Sequence, residues 1–440
     1  MDNEILAIVM VISLFGLILG GIPVPFALVA SGLIFGLIGF GFDLFNLLPL
    51  RMFGVVTNYS LLAIPMFVLM GVLLEKSRMA ERMLDVIGHM AGKRAGGMGL
   101  AIVFVGVLMG ASTGIVAATV VTVGLISLPT LLRRGYDKRI ACGTICASGT
   151  LGQIIPPSLV LILLADVTGE SVGTFFAAAM IPGLMLGGLY FCYILFMAWL
   201  RPESMPPIPQ DERDDVSTGQ LIIDLLKVVL PPLALVGAVL GSIIGGVAAP
   251  TEAASMGALG ALLLISVTGR MSIQVLRETV ESTFKITGMT LFVLMAAQVF
   301  SLSFRGLGGD DLIDQLFEFL PGGMWGGLIF MMLLLFVLGF FLDWIEITYI
   351  VIPLFLPFFA AQQVDIVWLS MLIALNLQMS FLTPPFGWSL FYLKGVAPPE
   401  VTTGDIYRGV LPFIGIQAFG LAMVMYFPQI ATWLPKAIGW

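Results

Sequence analysis

Apolar runs of about 18 residues or more recur along the whole 440-residue chain, separated by short polar stretches or by breaks rich in glycine and proline. A helix of about 20 apolar residues spans the roughly 30 Å hydrocarbon core of a bilayer. The pattern predicts helices over 4–20, 24–40, 59–75 and 172–200, and a broken helix over 139–165. Residues 41–58 mix Asp43, Asn46, Pro49, Arg51 and Asn58 with apolar positions, which suits an interfacial helix better than a span. Residues 95–132 stand out by length, because a straight helix there would run roughly 55 Å at 1.5 Å per residue. The segment must tilt, break or turn back, and Gly110-Ala111-Ser112-Thr113-Gly114 at its middle offers the place.

Charge decides between these options. Lys76, Arg78, Arg82, Lys93 and Arg94 precede the segment, and Arg133, Arg134, Lys138 and Arg139 follow it. Basic residues in short loops stay on the cytoplasmic side, so the segment enters and leaves by one face, as a re-entrant hairpin with its tip at 111–114. The competing reading is a single spanning helix kinked at its small residues. Non-helical backbone at that depth is tolerated only where it is buried in protein or lines a wet cavity, which makes the tip a candidate site. A second interruption covers 148–158, where Pro156 and Pro157 remove two successive backbone donors and force the helix to unwind.

The only long polar stretch, 201–220, carries Pro202, Pro206, Pro207, Pro209 and a run of acids, and reads as a cytoplasmic linker between 1–200 and 221–440. The second part repeats the first. Phe67-Val68-Leu69-Met70 recurs as Phe292-Val293-Leu294-Met295, and Gly20-Gly21 as Gly245-Gly246, both 225 residues on. Asp137 matches Asp365 and Pro156-Pro157 matches Pro384-Pro385 at 228, while Pro182 matches Pro412 at 230. Five full crossings in the first part, an odd number, turn the second copy upside down. Residues 305–324 then carry one basic residue, Arg305, against Asp310, Asp311, Asp314 and Glu318, and 360–366 carry none. In this topology the amino terminus is periplasmic, its first helix is uncleaved because no basic n-region precedes it, and Arg51, Arg305 and Lys436 are the basic residues outside.

Inversion supplies a second hairpin over about 325–360, opening outward with Asp343 near its tip, and a second broken helix over 366–395 with its break at 376–387. Unwound helices expose carbonyl and hydroxyl oxygens that suit a small hard cation, and the adjoining helix starts direct partial positive charge at an anion. Two cation pockets flanking one anionic-substrate pocket near the midplane are expected. Asp343 is the sharpest residue, since a carboxylate in hydrocarbon is costly; its bland reading is an acid at the hairpin mouth, with Glu346 one turn on. Glu252 sits near a helix start that favours an acid anyway, and His89 reads as a solvated residue of a charged loop.

Composition sharpens the class. With 59% apolar and 11% charged residues and a mean hydropathy of +1.07, the chain is an all-α polytopic membrane protein embedded in lipid, with nothing that points to nucleic acid. Three cysteines form no disulfide framework, and Cys142 and Cys146 share a helix face as packing residues. A lone histidine without paired acids within helical reach argues against an enzyme, and no continuous polar stripe suggests a channel.

The segments Gly135-Tyr136-Asp137-Lys138, Ala147-Ser148-Gly149-Thr150-Leu151-Gly152 with Ile155-Pro156-Pro157-Ser158, Pro250-Thr251-Glu252-Ala253-Ala254, and Thr383-Pro384-Pro385-Phe386-Gly387 carry a resemblance over nearly the whole chain. In that order they resemble the large membrane subunit of the tripartite ATP-independent periplasmic (TRAP) transporters, of the ion-transporter superfamily. The resemblance implies sodium-coupled, elevator-type uptake of an organic acid across the bacterial inner membrane, with a small four-helix membrane subunit and a periplasmic substrate-binding protein as partners. It implies a first sodium site at Ser112, Thr113, Gly114, Ser148, Gly149, Pro156 and Ser158, and a second at Gly339, Asp343, Met379, Ser380 and Thr383. The solute is expected between them, at Thr113, Pro157, Asn376, Thr383, Pro385 and Gly387. The family often has a Ser-Gly-Ser-Ser type tip where this chain reads Ala111-Ser112-Thr113-Gly114-Ile115; Ser112 and Thr113 keep hydroxyls there. Helices within 4–40 and 221–268 would form a scaffold, linked through 41–58 and 269–286 to a mobile unit of hairpins and broken helices. The alternative is a stand-alone sodium- or proton-coupled organic-anion carrier that needs no binding protein.

Overall fold

The apolar runs become helices wherever a glycine or proline does not stop them. The computed structural model describes residues 3–91, 93–209 and 218–440, leaving aside the side chains of Thr113 and Thr218, so part of the 201–220 linker lies outside the described residues. In the first half the helices are α1 (Asn3–Leu19), α2 (Val24–Phe40), α3 (Leu44–Val56), α4 (Ala63–Lys76), α5 (Met79–Ala91), α6 (Gly97–Thr113), α7 (Val116–Arg133), α8 (Lys138–Thr150), α9 (Leu159–Thr168) and α10 (Val172–Leu200). The second half holds α11 (Thr218–Ile244), α12 (Pro250–Val267), α13 (Ile273–Gly306), α14 (Gly309–Phe319), α15 (Gly323–Leu338), α16 (Trp344–Ile350), α17 (Ile352–Ala361), α18 (Ile366–Leu382), α19 (Trp388–Val396), α20 (Thr403–Tyr426) and α21 (Gln429–Ala437). Among the described residues there is no strand, and eight helical stretches, or ten counting two bent pairs, are long and apolar enough to cross a bilayer. The chain is an all-α multi-pass membrane protein.

The 95–132 segment turns back on itself. Gly114 closes α6 in the left-handed region (φ 60°), its N–H bonding Gly110 O at 2.9 Å, and extended Ile115 restarts the chain as α7. Its two ends come together: Gly96 N donates to Met205 O and Asp137 N to Ser204 O, each at 2.9 Å, although α7 alone is about 27 Å long. In the second half, a Cβ on Gly327 at the start of α15 would lie 2.8 Å from the ring of Phe358 in α17, so that segment folds back as well. Its returning limb bends by 50° between α16 and α17.

Two readings are corrected. His89 lies in a helix, not a loop: α5 buries Met79, Ala80, Met83, Leu84 and Gly88 on one face, a helical period hidden among charges. The stretch 305–324, expected from its charges as an acidic outer loop, likewise contains a helix, α14. Both breaks are also shorter than the sequence suggests, since α8 holds through Thr150 and α18 through Leu382. Ser148 and Ser380 sit inside helices, their hydroxyls turned back onto Ile145 O (3.1 Å) and Leu377 O (2.8 Å) so that they do not compete for a non-helical backbone, and the α ladder is lost only from Leu151 and from Thr383 onward.

Packing runs across the two halves. Helix α2 lies along α13, α12 along α4, and α8 along α20. The last pair meets through bare backbone: a Cβ on Gly143 would lie 2.0 Å from Gly409 O, so the two helices approach as closely as glycine allows.

Candidate membrane transport site

The first hairpin tip is seated directly on the first break. A Cβ on Gly110 would lie 2.7 Å from Gly152 N and Cα, and one on Gly106 would lie 2.5 Å from Ser148 Cβ. Gly114 abuts Pro157 O and Leu159 N. Around this contact the hydroxyls of Ser112, Ser148 and Ser158 are buried and donate to Met109 O (3.0 Å), Ile145 O (3.1 Å) and Gln153 O (2.6 Å). A hydroxyl that has given its proton to a carbonyl still offers oxygen lone pairs, which is the donor set a small hard cation takes. Both polar atoms of the buried Gln153 amide lack a hydrogen-bond partner among the described residues, so this break holds unmet polar capacity.

The second half repeats the arrangement. A Cβ on Gly339, at the end of α15, would lie 2.2 Å from Ser380 Oγ, and Asn376 Nδ2 donates to Met332 O at 2.7 Å, tying α18 to α15. Thr383 Oγ1 donates to Met379 O at 2.7 Å. Asp343 caps α16, its Oδ1 accepting from Trp344 N at 2.8 Å, while Glu346 reaches back to Asp343 N at 2.9 Å. The Pro156–Pro157 and Pro384–Pro385 peptide bonds are both cis. No group of three or more His, Cys, Asp or Glu side chains gathers among the described residues, so a cation here would rest on carbonyls, hydroxyls and this one carboxylate.

Both hairpin tips meet at one cavity of about 140 Å³, lined by Gly114 and Asp343, by Leu159 and Phe381 from the helices beside the two breaks, by Tyr392 on α19 and by Met289 and Thr290 on α13. Gly114 and Asp343 are the sequence-derived candidates on its wall. Pro157, Asn376, Thr383, Pro385 and Gly387 do not line it: Asn376 is used as a tether, and Pro385 O accepts from Tyr407 at 2.8 Å. The side chain of Thr113 lies outside the described residues. Sequence reasoning missed Tyr392 and the α13 wall. The available signal was a row of hydroxyls inside an apolar helix, Thr279, Thr283 and Thr287 at four-residue spacing, whose buried Oγ1 atoms have no partner among the described residues. Glu252, by contrast, accepts from Ala249 N at 2.9 Å and serves as a helix cap.

Between the two broken helices lies a buried polar knot. Gln378 and Gln417 both reach Thr150 Oγ1, at 3.5 and 3.3 Å, and Gln417 Nε2 also bonds Tyr190 OH at 2.7 Å. Thr150 and Gln378 stand 228 residues apart, the same separation as the two proline pairs.

Comparison with known proteins fits this architecture. A family model, "Tripartite ATP-independent periplasmic transporter, DctM component", matches residues 11–430. A C4-dicarboxylate TRAP transporter large permease from Pseudomonas aeruginosa is 30% identical over 89% of this chain and 90% of its own length. An ectoine TRAP large permease from Halomonas elongata is 29% identical (97% and 98% covered), and a sialic acid TRAP large permease from Vibrio cholerae is 28% identical (96% and 96%). Among solved structures, the Alcanivorax borkumensis YdaH transporter superposes with a TM-score of 0.57 at 13% identity, over 100% of this chain and 99% of that one, a likeness of fold alone.

Proposed function

We propose a function from one premise: the chain belongs to the DctM family of tripartite ATP-independent periplasmic transporters, as their large membrane subunit. It carries out sodium-coupled uptake of a carboxylate-bearing solute across the inner membrane, together with a small membrane subunit and a periplasmic binding protein that delivers the solute. Relatives named for C4-dicarboxylate and for sialic acid support an acidic solute. The observation that carries the reading is the convergence of the two hairpin tips, with the helices that flank the two proline breaks, on one cavity that holds a single carboxylate, Asp343.

An anion is costly in a low-dielectric interior unless its charge is offset. Sodium held at the first tip and break (Ser112, Ser148, Ser158) and at the second (Asp343, Ser380, Thr383) offsets it. Because ion and solute favour the same conformation, each raises the affinity for the other, and the sodium gradient drives the solute inward. The halves are inverted repeats with the amino terminus outside. Their hairpins and broken helices move as a unit against a scaffold of α1, α2, α11 and α12, linked through α3 and the first turns of α13.

The test is uptake in proteoliposomes containing both membrane subunits, with the cognate binding protein supplied outside. Asp343→Asn and Ser112→Ala are each expected to abolish sodium-dependent uptake while the purified protein keeps its helicity and elution volume. Wild-type sodium dependence in either variant rejects the assignment.

A further inference from the structure

Two adjoining cavities of about 440 and 270 Å³ lie beneath α3, sharing Leu47, Arg51, Gln298 and Leu302. The larger falls in the range of about 300–1,000 Å³ usual for small-molecule sites, which the 140 Å³ inner cavity does not reach. One acid lines it, Asp166 at the end of α9, and both of its oxygens are engaged: Tyr349 OH donates to Oδ2 at 2.6 Å and Asn58 Nδ2 donates to Oδ1. One cation is also engaged, since Arg305 pairs with Asp310 at 3.7 Å and donates to Pro353 O at 2.8 Å. Arg51 differs. It lines both cavities, is exposed to them, and has no hydrogen bond or ion pair among the described residues.

Of the three basic residues assigned outside by the charge pattern, Lys436 stands 3.9 Å from Asp365 and Arg305 is paired, which leaves Arg51. A guanidinium presents a planar fork that matches a carboxylate, and partly enclosing walls strengthen the attraction over its value in water. We propose that this outer chamber is a carboxylate-binding staging site, in which Arg51 receives the solute before it reaches the inner cavity, with Gln298 and Ser301 as neighbouring polar groups. This rests on the uptake direction proposed above. Three helices line both chambers: α16 presents Tyr349 to the outer one and Trp344 and Ile345 to the inner one, α13 presents Leu294 and Gln298 to the outer and Met289 and Thr290 to the inner, and α9 presents Asp166 to the outer and Leu159 to the inner.

The test uses the full chain in right-side-out vesicles. Ser301→Cys, made in a Cys192→Ser background, is reacted from outside with an anionic sulfonate and with a cationic trimethylammonium methanethiosulfonate, in the absence of sodium. The ratio of anionic to cationic rates is expected to fall several-fold on adding Arg51→Gln and to be kept by Arg51→Lys. Succinate, as the carboxylate probe, should slow the reaction when Arg51 is present and not in Arg51→Gln. A ratio indifferent to Arg51, or no protection by succinate, overturns the proposal. The labelling needs no transport: if it behaves as expected while Asp343→Asn retains sodium-dependent uptake, the coupling assignment fails and the chamber stands.

Discussion

At the scale of single residues, polar groups inside this apolar fold have two kinds of employment. Asn376, Glu252 and Ser389 are spent on backbone partners and hold elements in place, whereas Asp343 and the break hydroxyls keep acceptor capacity in reserve. Asp166 is spent as well, on the side chains of Asn58 and Tyr349, and the bond from Tyr349 tests that. A hydrogen bond to a charged group contributes about 1.5–3 kcal/mol, so Tyr349→Phe should lower the midpoint of thermal unfolding in detergent by a corresponding amount. An unchanged midpoint would mean that water replaces the phenol at no cost. Asp343 was legible in the sequence because a lone acid in an apolar run stands out. Met289, Thr290 and Tyr392 were not, because in sequence they look like any apolar helix, and only the fold turns them toward the cavity.

At the scale of elements, the hairpins depend on glycine where backbone meets backbone. Gly110→Ala would drive a methyl into Gly152, neither side of the contact having a flexible side chain that can yield. Overpacking of this kind costs about 1–3 kcal/mol, and sodium-dependent uptake should fall steeply because the first tip lifts from its break. Gly188→Ala in α10 is the control: its Cβ would point into open space, so the same substitution should leave uptake intact. Equal losses in the two variants would show that the tip contact is not special. The hairpins and breaks could be located from helix length, flanking charge and proline pairs, which are coarse signals that survive in sequence. Helices α5 and α14 were read as loops because their charges mask an apolar stripe, and the ends of the breaks were misjudged because serine and glycine persist in a helix when the ladder around them is intact.

At the scale of the whole molecule, topology is the open proposal with the simplest measurement. In a Cys192→Ser background, Gln362→Cys between α17 and α18 should react with a membrane-impermeant thiol reagent in intact spheroplasts, and Arg133→Cys at the end of α7 only after permeabilisation. Labelling of both from outside would refute inversion of the halves. The class of fold and the family were readable from one chain because hydropathy, charge placement and the Pro-Pro motifs each constrain the entire molecule. The contact of Thr150 with Gln378 was not, since nothing in the spacing says that these two residues touch.

Helix α16 borders two rooms, with Trp344 and Ile345 facing one and Tyr349 the other. Since one short helix lines both, no movement of the second hairpin can reshape one room and leave the other untouched.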